Sequence, residues 1–215
     1  MEQGTPMSEA KFIAFEGIDG SGTTTQAKFA ARWLETKGVR TLETREPTNG
    51  AVGQVIREAL SRRMPGRKGI ELEPERFALL FAADRLDHTR ARILPALDQG
   101  GWVVSDRCYL SSFAYQSVGC DLDWVRSLNR HCRRADLIIL LDLDAEAAYR
   151  RVTARTLFES MEVFETVEKM AVIRDNYLDL ARLLGSEGER IVTIDAAPPI
   201  DVVADKVREV LSGLL

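Results

Sequence analysis

The chain has 215 residues, of which 45% are hydrophobic and 29% charged, and its net charge at pH 7 is −4. This composition is typical of a globular domain with a full hydrophobic core. The acidic balance excludes a protein that binds nucleic acid through a generally basic surface, although a few clustered arginines could still bind a small anion.

The cysteines and the N-terminus also limit the possibilities. Cys108, Cys120 and Cys132 are too few and too scattered for a disulfide framework or a C-x-x-C metal site, which favours reduced thiols in the cytoplasm. No apolar run reaches membrane-spanning length, and the first residues lack the segments of a secretory signal. We expect a cytoplasmic protein without a membrane or nucleic-acid partner, in which a flexible tail (1–10) precedes a single domain (11–215).

The first half of the chain begins with an apolar strand, KFIAFEGI (11–18), which is followed by a glycine-rich loop. The pattern then predicts a helix from about Thr24 to Lys37, which Gly38 ends. A second strand, VRTLETREP (39–47), precedes a helix over VGQVIREALSRR (52–63). A long helix is predicted to begin near Pro74, and Pro95 either kinks it or separates its last turn.

Three more strands follow, namely WVVSDR (102–107), DLIILLDL (136–143) and RIVTIDA (190–196). Helical patterns lie between them, and a last helix is predicted from about Ile200 to Leu211. Alternating strands and helices are typical of parallel sheets covered by helices. We therefore predict a doubly wound α/β domain with a five-stranded parallel sheet and helices on both faces.

The loop in FEGIDGSGTTTQ (15–26) has the G-x-x-x-x-G spacing of a phosphate-binding loop, between Gly17 and Gly22. Its position between a strand and a helix would direct backbone N–H groups and a helix N-terminus at a phosphate. Such loops usually continue with Lys and then Ser or Thr, but here Thr23 and Thr24 follow. A purely structural turn therefore remains an alternative. The candidate phosphate-binding residues of the loop are Gly17, Asp19, Gly20, Ser21, Gly22, Thr23, Thr24 and Thr25.

Further motifs occur in a fixed order along the chain: TREPTNG (44–50), LLFAADR (79–85), DRCYLSSFAYQ (106–116) and LLDLDAEAAYRR (140–151). Together with the glycine loop they resemble the thymidylate kinase family, from about Lys11 to Leu215. The resemblance implies a P-loop fold, transfer of the γ-phosphate of ATP to dTMP with Mg²⁺, and pairing as a homodimer. Two alternatives remain open, a catalytically weak or silent dTMP-binding relative and a kinase with a different nucleotide acceptor.

The resemblance also implies a dTMP site. Arg45 would contact the phosphate, Phe81 would stack on thymine, and Arg85, one turn later, would reach the base edge. By itself, Phe81 would be interpreted as a core residue and Arg45 as a surface arginine. The complete predicted dTMP set is Asp19, Arg45, Phe81, Arg85, Arg107, Ser112, Tyr115 and Gln116, with Ser112 and Gln116 at the base, Tyr115 against the sugar and Asp19 near the sugar and the metal.

The metal and the transferred phosphate are predicted near the end of the third strand. Asp106 there could hold a water on Mg²⁺ together with the Thr24 hydroxyl, and Arg107 could bridge the donor and acceptor phosphates. A salt-bridged strand end is the alternative for this pair. The predicted catalytic set is Arg107, Asp106, Asp19 and Arg155.

The family's lid is expected near 150–165, where this sequence departs from the usual pattern. Met161 falls about where a lid arginine belongs, so two customary cations are missing when Thr23 is included. Arg151 and Arg155 lie one helical turn apart and could both approach the ATP phosphates. We expect Arg155 first, and Arg151 second, to replace the missing charge. The two histidines, His88 and His131, are interpreted as incidental.

Overall fold

A computed structural model describes residues 9–61, 73–155 and 166–215 of the chain. It contains one sheet in which every paired strand is parallel, with the spatial order β2-β3-β1-β4-β5. The strands are β1 (Phe12–Glu16), β2 (Thr41–Arg45), β3 (Trp102–Asp106), β4 (Leu137–Asp142) and β5 (Ile191–Asp195). The predicted five-stranded parallel α/β fold is confirmed.

Helices surround this sheet within the described part of the chain. They are α1 (Thr23–Thr36), α2 (Ala51–Leu60), α3 (Pro74–His88), α4 (Leu94–Asp98), α5 (Tyr109–Gln116), α6 (Leu122–Leu128), α7 (Ala145–Arg155), α8 (Val167–Ser186) and α9 (Ile200–Ser212). Helix α1 packs against α9 and the first three strands, whereas α5 packs between α3 and α8. No helix in the described ranges is both long enough and apolar enough to cross a membrane.

The sheet centre forms the main hydrophobic core. Every residue of β1 is buried, and β4 is buried except for its last residue, whereas the edge strands β2 and β5 are partly exposed. Continuous apolar sequences such as LIILL suit a strand that is covered on both faces. A smaller cluster, formed by α2 and α3, contains Ile56, Leu60 and Phe77, and Phe81 packs against it.

Proline and glycine set several helix boundaries. Gly38 has a φ of +79°, which glycine adopts readily, and it follows the end of α1 as predicted. Pro74 occupies the first turn of α3. The predicted break near Pro95 is also present, because α3 passes into a π-helical segment (Thr89–Ile93) before α4. Pro95 has no N–H to donate to the preceding turn, which accounts for the irregular hydrogen bonding there.

Candidate active site

The glycine loop connects β1 to α1 at the carboxyl edge of the sheet, where ligands of parallel α/β proteins collect. Gly20 and Gly22 have φ values of +84° and +98°. A Cβ atom on Gly20 would lie 2.5 Å from the carbonyl oxygen of Ala148 in α7. The loop can therefore bend around an anion at the N-terminus of α1 only because glycine stands at these positions.

The loop forms one wall of a cavity of about 680 Å³. Its opposite wall consists of apolar residues between Ala196 and Val203, and Arg107 and Arg151 also line it. Of the predicted phosphate-binding residues, Asp19, Gly20, Ser21, Gly22, Thr23, Thr24, Thr25 and Arg151 line this cavity, whereas Gly17 does not. The side chain of Arg155, Met161 and the lid from 156 to 165 lie outside the described residues.

Arg151 lies close to the loop. Its guanidinium donates to the carbonyl oxygens of Gly20 at 3.4 Å and Ala196 at 3.1 Å. In the described ranges no carboxylate forms an ion pair with it. The positive charge at this end of the cavity is therefore not neutralised by the surrounding described side chains.

Thr24 and Asp106 meet beneath the loop. The Thr24 hydroxyl donates to Asp106 Oδ2 at 2.5 Å. The other oxygen, Oδ1, is buried and has no hydrogen-bond partner in the described part of the chain. A buried carboxylate oxygen without a donor fits a cation or a metal-bound water. The two predicted metal residues are thus brought together by β3 and α1, although they are 82 positions apart.

Arg107 follows β3 with a φ of +72°, the one non-glycine residue of the described chain in the left-handed region. Such conformations are costly and cluster at functional sites. Its Nη1 donates to the carbonyl oxygen of Gly17 at 3.0 Å and to Ser111 Oγ at 3.1 Å, while Nη2 donates to Asp19 Oδ1 at 2.6 Å. The guanidinium lies 5.3 Å from the ring centre of Tyr115. These contacts hold the side chain in a single direction.

A second cavity, of about 220 Å³, lies on the other side of Arg107. Its lining residues are Asp19, Arg45, Glu46, Pro47, Arg57, Leu60, Phe81, Asp106, Arg107, Ser111, Ser112, Tyr115 and Gln116. All predicted dTMP residues except Arg85 are among them. Since Asp19 and Arg107 line both cavities, a group bound in one cavity can meet a group bound in the other at these two side chains.

The second cavity combines an aromatic wall with polar groups. Phe81 is half-buried, and the buried Gln116 amide oxygen has no hydrogen-bond partner within the described ranges. The Tyr115 hydroxyl donates to Asp19 Oδ2 at 3.1 Å. Burial raises the pKa of Tyr115 well above its usual value, so the phenol stays neutral and remains a donor. The cavity can thus accept a flat ring that carries a hydrogen-bond donor.

The structure does not bring Arg85 to the cavity wall. The side chain is 1% exposed and lies behind Ser112. It donates to Glu46 Oε2 at 2.7 Å, Ser112 Oγ at 2.9 Å, Asn129 Oδ1 at 2.5 Å and the Cys108 carbonyl oxygen at 3.1 Å. The helix spacing correctly placed Phe81 and Arg85 on neighbouring turns, but packing against α5 and α6 covers the arginine.

Arg57 was not identified as a site residue from the sequence, and His88 was interpreted as incidental. His88 is buried, with Nδ1 2.9 Å from Glu46 Oε1 and Nε2 2.7 Å from Thr44 Oγ1. It lines neither cavity, so these contacts give it a structural place, and its interpretation as incidental to the chemistry stays a prediction. Arg57 lines the second cavity and donates to the carbonyl oxygen of Thr48. Only the position of Arg57 on the cavity side of α2, one turn before Leu60, could have indicated its place.

Comparison with known proteins adds the family to this geometry. The family model described as Thymidylate kinase matches residues 15–207. A probable thymidylate kinase from Thermococcus gammatolerans is 41% identical over 94% of this chain and 99% of that protein. One from Methanothermobacter thermautotrophicus is 38% identical over 94% of each chain, and a thymidylate kinase from Carboxydothermus hydrogenoformans is 35% identical over 95% of this chain and 98% of its own. The chain, with its glycine loop and an arginine that lines both cavities, belongs to the thymidylate kinase family.

Proposed function

We propose that the chain transfers the γ-phosphate of ATP to dTMP, giving ADP and dTDP. An oxygen of the dTMP phosphate attacks the γ-phosphorus, and the bond to the β-phosphate oxygen of ATP breaks. The observation that carries this proposal is the position of Arg107, which lines both cavities and is held by Gly17, Ser111 and Asp19. Phosphoryl transfer requires mainly positioning and neutralisation of charge, which a fixed guanidinium between two phosphates supplies.

In this proposal the smaller cavity binds dTMP. Phe81 stacks on thymine, Gln116 accepts from the base N–H, Ser112 contacts the base edge, and Arg45 binds the phosphate. Arg45 is exposed at the end of β2 and donates to Asn49 at 3.0 Å, a contact that a phosphate can replace. Tyr115 lies against the sugar with Asp19. Arg85 acts from behind this wall, through Ser112, rather than on the base.

Mg²⁺ is the cofactor that fits Thr24 and Asp106. Mg²⁺ keeps several waters and is usually held by one or two protein groups together with substrate phosphates. A hydroxyl and a carboxylate with one unpartnered oxygen match this requirement. When bound, the ion would supply positive charge to the ATP phosphates, and Thr24 and Asp106 would hold it, partly through water.

The charge usually supplied by the loop lysine comes, in this proposal, from α7. Thr23, the first residue of α1 after the loop, is buried and carries no charge. Arg151, one turn before Arg155, contacts the loop carbonyl of Gly20 and has no described carboxylate partner. This contact makes Arg151 our first candidate for the replacement, whereas the side chain of Arg155, which the sequence favoured, lies outside the described residues.

The decisive experiment measures dTMP-dependent ADP release in a coupled assay with ATP and Mg²⁺. Activity far above a heat-inactivated control supports the kinase. The uncharged Thr23 favours one alternative, a relative that binds dTMP without turnover, and saturable dTMP binding without ADP release would establish it. A panel of other nucleoside monophosphates tests a different acceptor. We further propose that the protein is cytoplasmic and forms a homodimer. The sedimentation coefficient of the purified protein tests the homodimer.

Phe81→Ala should weaken dTMP binding by roughly 1–3 kcal/mol, because a stacking partner of the base is lost. Calorimetry with dTMP alone measures this. Leu79→Ala is the matched control, since Leu79 lies on the same helix but is exposed and does not line the cavity. Equal dTMP affinity in both variants would remove Phe81 from the acceptor site.

Arg151→Ala should lower kcat/KM for ATP by on the order of 10²-fold, as for loss of one positioned electrostatic contact, while dTMP affinity stays unchanged. Arg155→Ala provides the comparison one turn away and should have the smaller effect.

Thr23→Lys restores the usual loop pattern and should give no gain of tenfold or more in kcat/KM for ATP if Arg151 already supplies the charge. A large gain from Thr23→Lys combined with wild-type ATP kinetics in Arg151→Ala would contradict the relocation.

A further inference from the structure

Glu16 is the last residue of β1 and lies directly before the glycine loop, fully buried. Its Oε1 accepts from the backbone N–H of Cys108 at 2.8 Å. Its Oε2 accepts from Ser111 Oγ at 2.5 Å and from the Tyr177 hydroxyl at 3.2 Å. Burying a carboxylate costs free energy even when three donors surround it, and a nearby positive charge offsets part of that cost. A positive charge close to Glu16 is therefore expected.

The two hydroxyls also face the bridging arginine. Nη1 of Arg107 donates to Ser111 Oγ at 3.1 Å and to the Tyr177 hydroxyl at 3.3 Å. The two hydroxyls lie 2.8 Å apart, so one could donate to the other only by giving up its bond to Glu16. Because each hydroxyl has one proton and the guanidinium can only donate, the donors run in one direction, from Arg107 through the hydroxyls to Glu16.

We propose that ionised Glu16 is a positioning residue that holds Arg107 between the two cavities through Ser111 and Tyr177. This inference rests on the proposed function of Arg107. Ionised Glu16 accepts the protons of both hydroxyls, which leaves lone pairs of both oxygens facing Arg107. A protonated Glu16 instead donates to one hydroxyl, whose own proton must then turn away from the carboxyl group. Protonation therefore weakens the anchor that Ser111 and Tyr177 form for the guanidinium, while Asp19 and the carbonyl oxygen of Gly17 still accept from it.

Charged and titratable groups surround Glu16 on several elements. Those acting on it or on its arginine are Arg107 and Cys108 after β3, Arg85 on α3, Tyr177 on α8, and, beyond the guanidinium, Asp19, Tyr115 and Asp106. Burial raises the pKa of Glu16 to about 7, against the opposing effects of the Ser111 hydrogen bond and the Arg107 charge. The ionised form, and with it the position of Arg107, is therefore lost as the pH falls through about 7.

Stability should change in the opposite direction. Because the folded pKa of Glu16 lies above its ordinary value of 4.5, the folded state binds this proton more tightly than the unfolded state does. Protonation of Glu16 thus stabilises the fold between about pH 7 and 4.5, while it weakens the hold of Ser111 and Tyr177 on Arg107. A loss of turnover caused by Glu16 is therefore distinguishable from acid unfolding.

The test is the pH profile of kcat for the full-length wild type and Glu16→Gln between pH 6 and 9. The glutamine cannot ionise and presents a donor where the carboxylate accepts. We expect kcat of the variant to be about tenfold lower or more at pH 8, and the fall near pH 7 to be absent. Titration of the dTMP phosphate affects both proteins equally and cancels in the ratio of the two profiles.

Two further variants complete the experiment. Ser111→Ala removes a hydrogen bond that favours the ionised form, so the midpoint of the fall in kcat should move to higher pH; this variant decides the matter if Glu16→Gln does not fold. Asp136→Asn is the matched control, because Asp136 accepts from the backbone N–H of Phe12 at the other end of β1. Its midpoint should equal that of the wild type.

The proposal is overturned if Glu16→Gln keeps the wild-type fall near pH 7, or if Ser111→Ala leaves the midpoint unchanged. Calorimetry with dTMP in the absence of ATP separates this result from failure of the proposed reaction. If the wild type releases no ADP, the kinase reaction fails, but weaker dTMP binding in Glu16→Gln at pH 8 still supports the positioning role. Equal dTMP affinity in both proteins would overturn it.

Discussion

Replacing Arg107 with alanine should lower kcat by on the order of 10²–10³-fold, because the guanidinium is the positioned charge between the two proposed phosphates. Among the described residues no other cation lines both cavities, so none is placed to replace Arg107. The effect should be measured as ADP release at saturating ATP and dTMP, so that weaker substrate binding does not contribute.

Two further substitutions of Arg107 separate charge from backbone conformation. The φ of +72° is strained in alanine but readily adopted by glycine, so Arg107→Gly should unfold at a higher temperature than Arg107→Ala while being equally inactive. Arg107→Lys keeps the charge but loses the planar fork of donors, and its kcat should lie between those of the wild type and Arg107→Ala. Turnover in Arg107→Ala within threefold of the wild type would refute the bridging role.

Replacing Arg85 with alanine should destabilise the fold by roughly 3–5 kcal/mol, because the buried Glu46 carboxylate loses its guanidinium partner and keeps only the contact with His88 among the described side chains. The two side chains are 1% and 2% exposed and are 2.7 Å apart. Arg85 also donates to Ser112 and Asn129, so their acceptors would be left unpaired. The shift of the urea midpoint of unfolding measures the loss.

A second substitution tests whether the uncompensated charge causes this loss. Arg85→Ala combined with Glu46→Gln should recover part of the stability, since the double variant no longer buries an unpaired carboxylate. The dTMP affinity of Arg85→Ala should be measured below its unfolding transition. A large loss of dTMP affinity with unchanged stability would restore the direct base contact that the family resemblance implies.

The sequence by itself determined the fold and the edge of the sheet where the site lies. Continuous apolar strands such as LIILL, separated by amphipathic helices, predict a parallel sheet because local hydrophobic patterns report which faces are buried. The glycines of the loop were also recognisable from the sequence, since a positive φ is readily adopted only by glycine. Residues at the end of a strand or directly after it, such as Arg45 and Arg107, could therefore be placed at this edge before their contacts were known.

Only the tertiary structure decided which of the candidate side chains reach the cavities. Arg85 and Arg57 are both arginines on helices, yet α5 and α6 cover the first, whereas the second lines a cavity. Glu16 and Arg107 are 91 positions apart in the sequence. Both form hydrogen bonds with Ser111 and Tyr177, which lie on two further helices. Burial and hydrogen-bond partners of this kind depend on how distant elements pack, which no pattern of neighbouring residues records.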